Sequence, residues 1–229
     1  MILSPAFCRI FPFAVYVGFL ILESLISLLK SRGFEFLENW HENSIYPIKI
    51  LLVLLALLWL WRNFTELVTP VKVKLADWLT CIFVGVVVFI LWINLDKSWA
   101  TIGVSTGYNP INPVSQEIDW ERVIIRIIGA TFIVPVMEEL FWRSFLLRWQ
   151  MHHRFLDVNP AKIGVQAFIV TALLFASEHN LIVAGLVAGV AYNWLYIKTR
   201  NLWIPIVSHA ITNGLLGLWV INTHNWQFW

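Results

Sequence analysis

The sequence predicts an all-α membrane protein, a polytopic bundle of about seven transmembrane helices, from its composition and its hydropathy pattern. Of the 229 residues, 59% are hydrophobic and 13% are charged, whereas soluble domains carry about 25% charged residues. The mean hydropathy is +0.73. Apolar runs of about 20 residues, the length of helix that crosses a bilayer, recur along the whole chain. No soluble domain fits between them, so we expect a single integral membrane domain over residues 1–229.

Each predicted helix is an apolar run long enough to span the hydrocarbon or nearly so. In chain order the runs cover 11–29, 45–61, 76–95, 123–147, 163–178, 181–197 and 202–221. The fourth contains Pro135, which cannot donate a hydrogen bond to the carbonyl of Thr131, so we expect a kink there. The longest connection, 96–122, contains the turn-rich stretch GYNPINP.

Charge and cysteine content exclude several kinds of protein. The net charge of +2 is too small to indicate a nucleic-acid partner. Cys8 and Cys81 lie in or beside apolar runs, so they build neither a disulfide framework nor a four-cysteine metal site. Because the composition is that of a membrane protein, the sequence predicts contact with membrane lipids.

The basic residues predict an orientation, because lysine and arginine are retained on the cytoplasmic side. With the N-terminus inside, nine fall on the cytoplasmic side: Arg9, Arg62, Lys72, Lys74, Arg148, Arg154, Lys162, Lys198 and Arg200. Six fall outside: Lys30, Arg32, Lys49, Lys97, Arg122 and Arg126. The sequence therefore favours a cytoplasmic N-terminus and an outer C-terminus.

Two adjacent carboxylates interrupt the fourth apolar run, in the stretch PVMEELFWRSF, 135–145. Ionisable groups at membrane depth cost at least about 2.5 to 3.5 kcal/mol each, so they call for a partner or a function. Glu139 and Arg143 are four residues apart and can pair on one helix face, whereas Glu138 points about 100° away. The run holds either a structural ion-pair network or one free carboxylate available for chemistry.

Two further polar groups lie in the later helices. In FASEHN, His179 follows Phe175 by one turn where the fifth and sixth helices meet, and in SHAITN, His209 and Asn213 share one face of the seventh helix. His179 could equally be an interfacial histidine. His209 and Asn213 could equally hydrogen-bond neighbouring helices.

The depths of Glu138, His179 and His209 in the membrane decide whether their side chains can lie close together. At 1.5 Å per residue, Glu138 and His209 lie about 15 and 13.5 Å from the cytoplasmic boundary, but His179 lies about 25 Å from it. They converge only if the fifth helix tilts strongly or begins before it enters the hydrocarbon.

A carboxylate, two imidazoles and a carboxamide supply what peptide hydrolysis needs, namely a base to activate water and donors for the oxyanion. The HExxH zinc pattern is absent from the sequence. Glu138, His179 and His209 would still make a three-ligand zinc site in a metal form, but Glu138 would then not be a free base. No cofactor is therefore assigned, and zinc stays open.

The spacings E-E-x-x-x-R, F-x-x-x-H and H-x-x-x-N, in that order over 123–221, resemble the CAAX prenyl endopeptidase and bacteriocin-processing family of intramembrane proteases. The segment PVMEELFWRSFLLRW is similar to sequences of a bacterial branch of this family that is associated with exosortase systems. The resemblance implies that Glu138 activates water shared with His179, that His209 and Asn213 form the oxyanion site, and that Glu139 and Arg143 hold Glu138 in place. It also implies a bacterial inner-membrane location.

On this interpretation, 123–221 carries the catalytic helices and 1–95 the scaffold. The expected partner is a peptide or protein substrate, which a lipid could modify. Two alternatives remain: a non-catalytic membrane scaffold or immunity protein of the same fold, and a transporter that uses Glu138 as a proton relay.

Overall fold

A computed structural model describes residues 3–34, 45–103, 107–112 and 115–229, and within them it shows the helical bundle that the sequence predicts. We number the principal helices α1 to α7. They are α1 Pro5–Ser31, α2 Ile45–Leu60, α3 Leu75–Asn94, α4 120–149, α5 Val165–Ser177, α6 Ile182–Thr199 and α7 Trp203–Thr223. A short helix, Thr65–Val68, precedes α3.

Five helices in the described residues are long and apolar enough to cross a membrane: α1, α2, α3, α6 and α7. The chain is therefore an integral membrane protein, as predicted. The count of seven spans is approximate, because the other two predicted spans differ from regular long helices. α5 has only 13 residues, and α4 is divided into segments of different helical register.

α4 alternates between α-helical and wider π-helical turns. The π segments Gly129–Ile133 and Leu140–Leu146 flank the α-helical segment Val134–Glu139. Pro135 lies in the first turn of that segment, where its missing N–H leaves the preceding register free to widen. Such π-bulges often occur at functional sites. The local irregularity expected at Pro135 thus takes the form of widened turns on both sides of Glu138 and Glu139.

The helices pack chiefly in pairs, α3 against α7, α5 against α6 and α1 against α2, while α4 contacts both α1 and α7. Glycines allow the closest approaches. A Cβ on Gly85 would lie 2.6 Å from the carbonyl oxygen of Ser208, and one on Gly189 would lie 3.0 Å from that of Ala172. These contacts bring α7, which carries His209, close to α3, and they bring α6 close to α5.

A cluster of buried charges joins α1, the short helix and the end of α4. Glu66 forms ion pairs with Arg9 and Arg148 and accepts a hydrogen bond from Ser144. Arg9 also donates to Ser144 over 2.7 Å. Burial raises the pKa of Glu66, but the two guanidiniums outweigh it and lower the pKa to about 2. The cluster lies at the end of the bundle where α4 ends and α5 begins.

Candidate active site

Glu139 is the centre of a buried polar network. Its Oε1 lies 3.0 Å from Arg143 Nη1, and both side chains have no solvent exposure. Arg143 Nε also donates to Asn193 Oδ1 over 3.2 Å, and its guanidinium lies 4.4 Å from the centroid of the Phe175 ring. The i, i+4 pair anticipated from the sequence is therefore present, and it ties α4 to α5 and α6.

His209 contacts Glu139, a pairing that the sequence does not reveal. His209 Nδ1 donates to Glu139 Oε1 over 3.0 Å. The imidazole stacks on the Tyr192 ring, with centroids 5.0 Å apart, and the Tyr192 hydroxyl donates to Thr212 over 2.8 Å. Because Nδ1 is bonded to the carboxylate, the nitrogen of His209 left for another group is Nε2.

Asn213 is partly used to anchor α7. Its Nδ2 donates to the carbonyl oxygen of Ala130 over 2.9 Å. Ala130 lies in the first π segment of α4, so this bond fixes α7 against the widened turn. The amide nitrogen of asparagine carries two hydrogens, which leaves one for a further acceptor.

His179 lies in the turn between α5 and α6. Its Nδ1 donates to the carbonyl oxygen of Phe175 over 2.9 Å, and its ring contacts Trp92 edge to face at 5.2 Å. This bond fixes the tautomer, so Nε2 carries the free lone pair of the neutral ring.

Glu138 has surroundings unlike those of Glu139. The residue is 9% exposed. Its Oε2, like Oε2 of Glu139, is buried without a hydrogen-bond partner in the described part of the chain. No ion pair of Glu138 is present among those residues either. The free carboxylate and the paired carboxylate thus occupy the positions that their spacing from Arg143 predicts.

One cavity of about 560 Å³ brings these residues together. Its wall includes Glu138, His179, His209 and Asn213. The three residues that the depth estimates separate therefore border the same cavity. α5 ends at Ser177, and the turn after it borders the same cavity as the middle of α4 and α7.

A comparison with protein families adds an independent observation. The family described as type II CAAX prenyl endopeptidase, Rce1-like, has a model that matches residues 120–215.

Those residues match the Rce1-like family.

The Rce1-like region begins with α4 and ends just after Asn213, so it contains every candidate site residue. The description of the family is that of an endopeptidase, and it names no branch within the family. The exosortase-associated branch stays a prediction. No curated protein and no solved structure matches the chain.

Two charged residues of the cavity wall were not identified as site residues from the sequence. Glu178, which reads as a solvated loop acid, borders the cavity beside His179, and Arg126, counted only as an outer basic residue, borders it from α4. Adjacency to His179 is the only sequence signal for Glu178. Arg126 lies three turns before Glu138 on the same helix, and that spacing alone does not indicate a shared cavity.

The residues of a metal form do not assemble in this arrangement. Among the described residues, no group of three or more histidine, cysteine, aspartate or glutamate side chains is arranged to hold a metal ion. Glu138, His179 and His209 border one cavity of the Rce1-like region without forming a ligand set. We therefore derive no step through zinc.

Proposed function

We propose that the protein is an intramembrane endopeptidase in which Glu138 activates the attacking water. The observation that carries the proposal is the contrast within the acid pair. Glu139 is held by Arg143 and His209 and does not line the cavity, whereas the Glu138 carboxylate borders the cavity and forms no ion pair with any described residue. A base must be near its substrate and not already engaged.

The proposed reaction starts with water between Glu138 and His179. Glu138 accepts a proton from the water, and His179 Nε2 accepts the other hydrogen bond and orients it. The water oxygen then attacks the scissile carbonyl carbon. Glu138 returns the proton to the amide nitrogen as the C–N bond breaks, so that the carboxylate is regenerated.

The oxyanion would be stabilised from α7. The second amide hydrogen of Asn213 and the Nε2 of His209 are the available donors there. His209 donates through Nε2 when its ring carries both protons, and Glu139 then balances the charge. Donors aimed at a developing oxyanion contribute a large part of catalysis in acyl transfer.

Peptidomics tests the proposal. Cells producing the wild-type protein should accumulate cleaved peptides that disappear with Glu138→Gln. The matched control is Glu121→Gln, an exposed acid near the start of the same helix, and it should leave the peptides unchanged. Identical peptide profiles at equal protein levels for wild type and Glu138→Gln would contradict the protease. Proton-coupled flux in sealed vesicles without cleavage would instead support the transporter alternative.

A further inference from the structure

Arg126 differs from the buried cations elsewhere in the described chain. Those cations have carboxylate partners: Arg9 and Arg148 pair with Glu66, Arg143 with Glu139, and Lys49 with Glu23. Arg126 forms no ion pair within the described residues, and its buried Nε has no hydrogen-bond partner there. Of the described residues on the cavity wall, it is the only lysine or arginine.

Two aromatic rings hold the guanidinium in place. It lies 4.6 Å from the centroid of the Tyr46 ring and 5.3 Å from that of Tyr108. The Tyr46 hydroxyl also donates to the backbone carbonyl of Arg126 over 3.4 Å. Stacking on aromatic faces stabilises the cation while leaving the N–H groups at its edge available to an acceptor.

We propose that Arg126 binds a carboxylate of the peptide substrate and so determines specificity in the cavity. The planar guanidinium matches a carboxylate through two parallel hydrogen bonds. This inference rests on the proposed function, because the bound group belongs to the peptide that Glu138 cleaves. The carboxylate is either that of the peptide's C-terminus or that of an acidic side chain.

The distance between Arg126 and Glu138 on α4 determines how many residues separate the cleaved bond from the bound carboxylate. Arg126 and Glu138 are twelve residues apart on α4. At the α-helical rise of 1.5 Å per residue this is about 18 Å, an upper bound because the π turns at Gly129–Ile133 rise less. An extended peptide covers this distance with about five residues. The cut should therefore lie about five residues from the bound carboxylate, or fewer where the long arginine side chain shortens the gap.

Peptide libraries of defined termini test the inference. Random twelve-residue peptides are made with a C-terminal carboxylate or a C-terminal amide, each with and without aspartate and glutamate, and cleavage by the purified full-length protein is read by mass spectrometry. We expect carboxylate-bearing peptides to be cut about tenfold to a hundredfold better than fully neutral ones. The difference between the amidated and acidic arms identifies which carboxylate Arg126 binds.

Substitutions at Arg126 and at the nearby Arg122 test whether the preference for carboxylates depends on the Arg126 guanidinium itself. Arg126→Gln should remove the preference, and Arg126→Lys should keep part of it, because lysine retains the charge without the planar fork. The matched control is Arg122→Gln, one turn earlier on α4, where Arg122 already pairs with Asp119 at 3.0 Å. It should keep the full preference. A lower melting temperature of Arg126→Gln with an unchanged preference would overturn the inference and make Arg126 structural.

A binding measurement keeps this inference distinct from the proposed function. Immobilised Glu138→Gln protein should retain carboxylate-bearing library peptides over neutral ones, and the added Arg126→Gln change should abolish that selection. Equal retention of both kinds of peptide overturns the role of Arg126, whether or not the wild type cleaves them. Selective retention without any cleavage by the wild type supports a carboxylate site and contradicts the protease.

Discussion

Glu138 and Glu139 are adjacent in the chain and have opposite surroundings. One oxygen of Glu139 accepts hydrogen bonds from both Arg143 and His209. Glu138 faces the cavity without such a partner in the described residues. A rotation of about 100° between neighbouring helical residues is enough to separate the ion-paired carboxylate from the one that we propose as the base.

Removing the cation beside Glu139 should destabilise the fold. Arg143→Ala leaves a fully buried carboxylate without its guanidinium, and breaking a buried pair costs about 3 to 5 kcal/mol. We expect that loss in the free energy of unfolding measured in mixed detergent micelles. Glu138→Gln should stay close to wild type while losing cleavage, because the carboxylate it replaces forms no ion pair among the described residues.

A partly exposed ion pair at the start of α4 provides the control for Arg143. Arg122 and Asp119 are about a quarter exposed, so Arg122→Ala should cost less than about 1 kcal/mol. Equal losses for Arg143→Ala and Glu138→Gln would mean that both carboxylates belong to a structural network.

Catalysis should not depend on tightly bound zinc. The described residues hold no ready group of three ligands. Elemental analysis of purified protein should find zinc well below one per chain, and cleavage should survive exhaustive chelation. Stoichiometric zinc, with activity lost on its removal and restored by zinc alone, would instead make His179 and His209 ligands.

At the scale of elements, hydropathy predicts helix positions well and helix register poorly. The predicted run 76–95 corresponds to α3 Leu75–Asn94, because length and apolarity suffice to define a span. Pro135 marks where α4 departs from regular register, but hydropathy does not predict that π turns form on both sides of it. Likewise, the Glu139 and Arg143 pair follows from local spacing, whereas the contact with His209 joins residues 70 positions apart.

Close packing of α3 on α7 should be sensitive to a single methyl group. In Gly85→Ala the new Cβ would lie 2.6 Å from the Ser208 carbonyl oxygen and 3.0 Å from the Ile211 side chain. α7 must shift, so we expect a loss of about 1 to 3 kcal/mol of stability and reduced cleavage, since α7 carries His209 and Asn213.

Gly18→Ala on α1 is the matched control. No atom lies within 4 Å of a Cβ at Gly18, and alanine is the better helix former by about 1 kcal/mol. It should therefore be neutral or stabilising in the same thermal denaturation assay. Equal stability of the two variants would show that the α3 and α7 backbones are not in close contact.

The Glu66 cluster should make stability depend on acidity. The folded pKa is about 2 and the unfolded one about 4.3, so this contribution is complete above about pH 5 and is lost as the pH falls toward 2. Its size is on the order of 3 kcal/mol. Melting temperatures measured from pH 7 to pH 3 should fall for the wild type and fall less for Glu66→Gln, which starts lower. Parallel curves for the two proteins would contradict the contribution of this carboxylate.

For the whole molecule, the two ends of the bundle have different features. The Glu66 cluster lies where α4 ends. The cavity wall includes Trp92 near the end of α3, Leu181 just before α6, and Phe228 beyond α7, all at the opposite end. The nine basic residues predicted to be cytoplasmic lie toward the end of the bundle that holds the Glu66 cluster, which we call the cluster end. The six predicted to be outside lie toward the end that holds the cavity, which we call the cavity end. If the positive-inside rule governs this chain, the cavity opens to the outer face of the membrane.

Cysteine labelling in intact cells tests that orientation. Ser98→Cys lies at the cavity end and His153→Cys at the cluster end; both positions are exposed, and neither change removes a lysine or arginine. The native Cys8 and Cys81 are buried and should contribute little background. An impermeant maleimide should label Ser98→Cys directly and His153→Cys only after the membrane is permeabilised. The reverse pattern would place the cavity on the cytoplasmic side and would show that the nine-to-six bias does not set the topology.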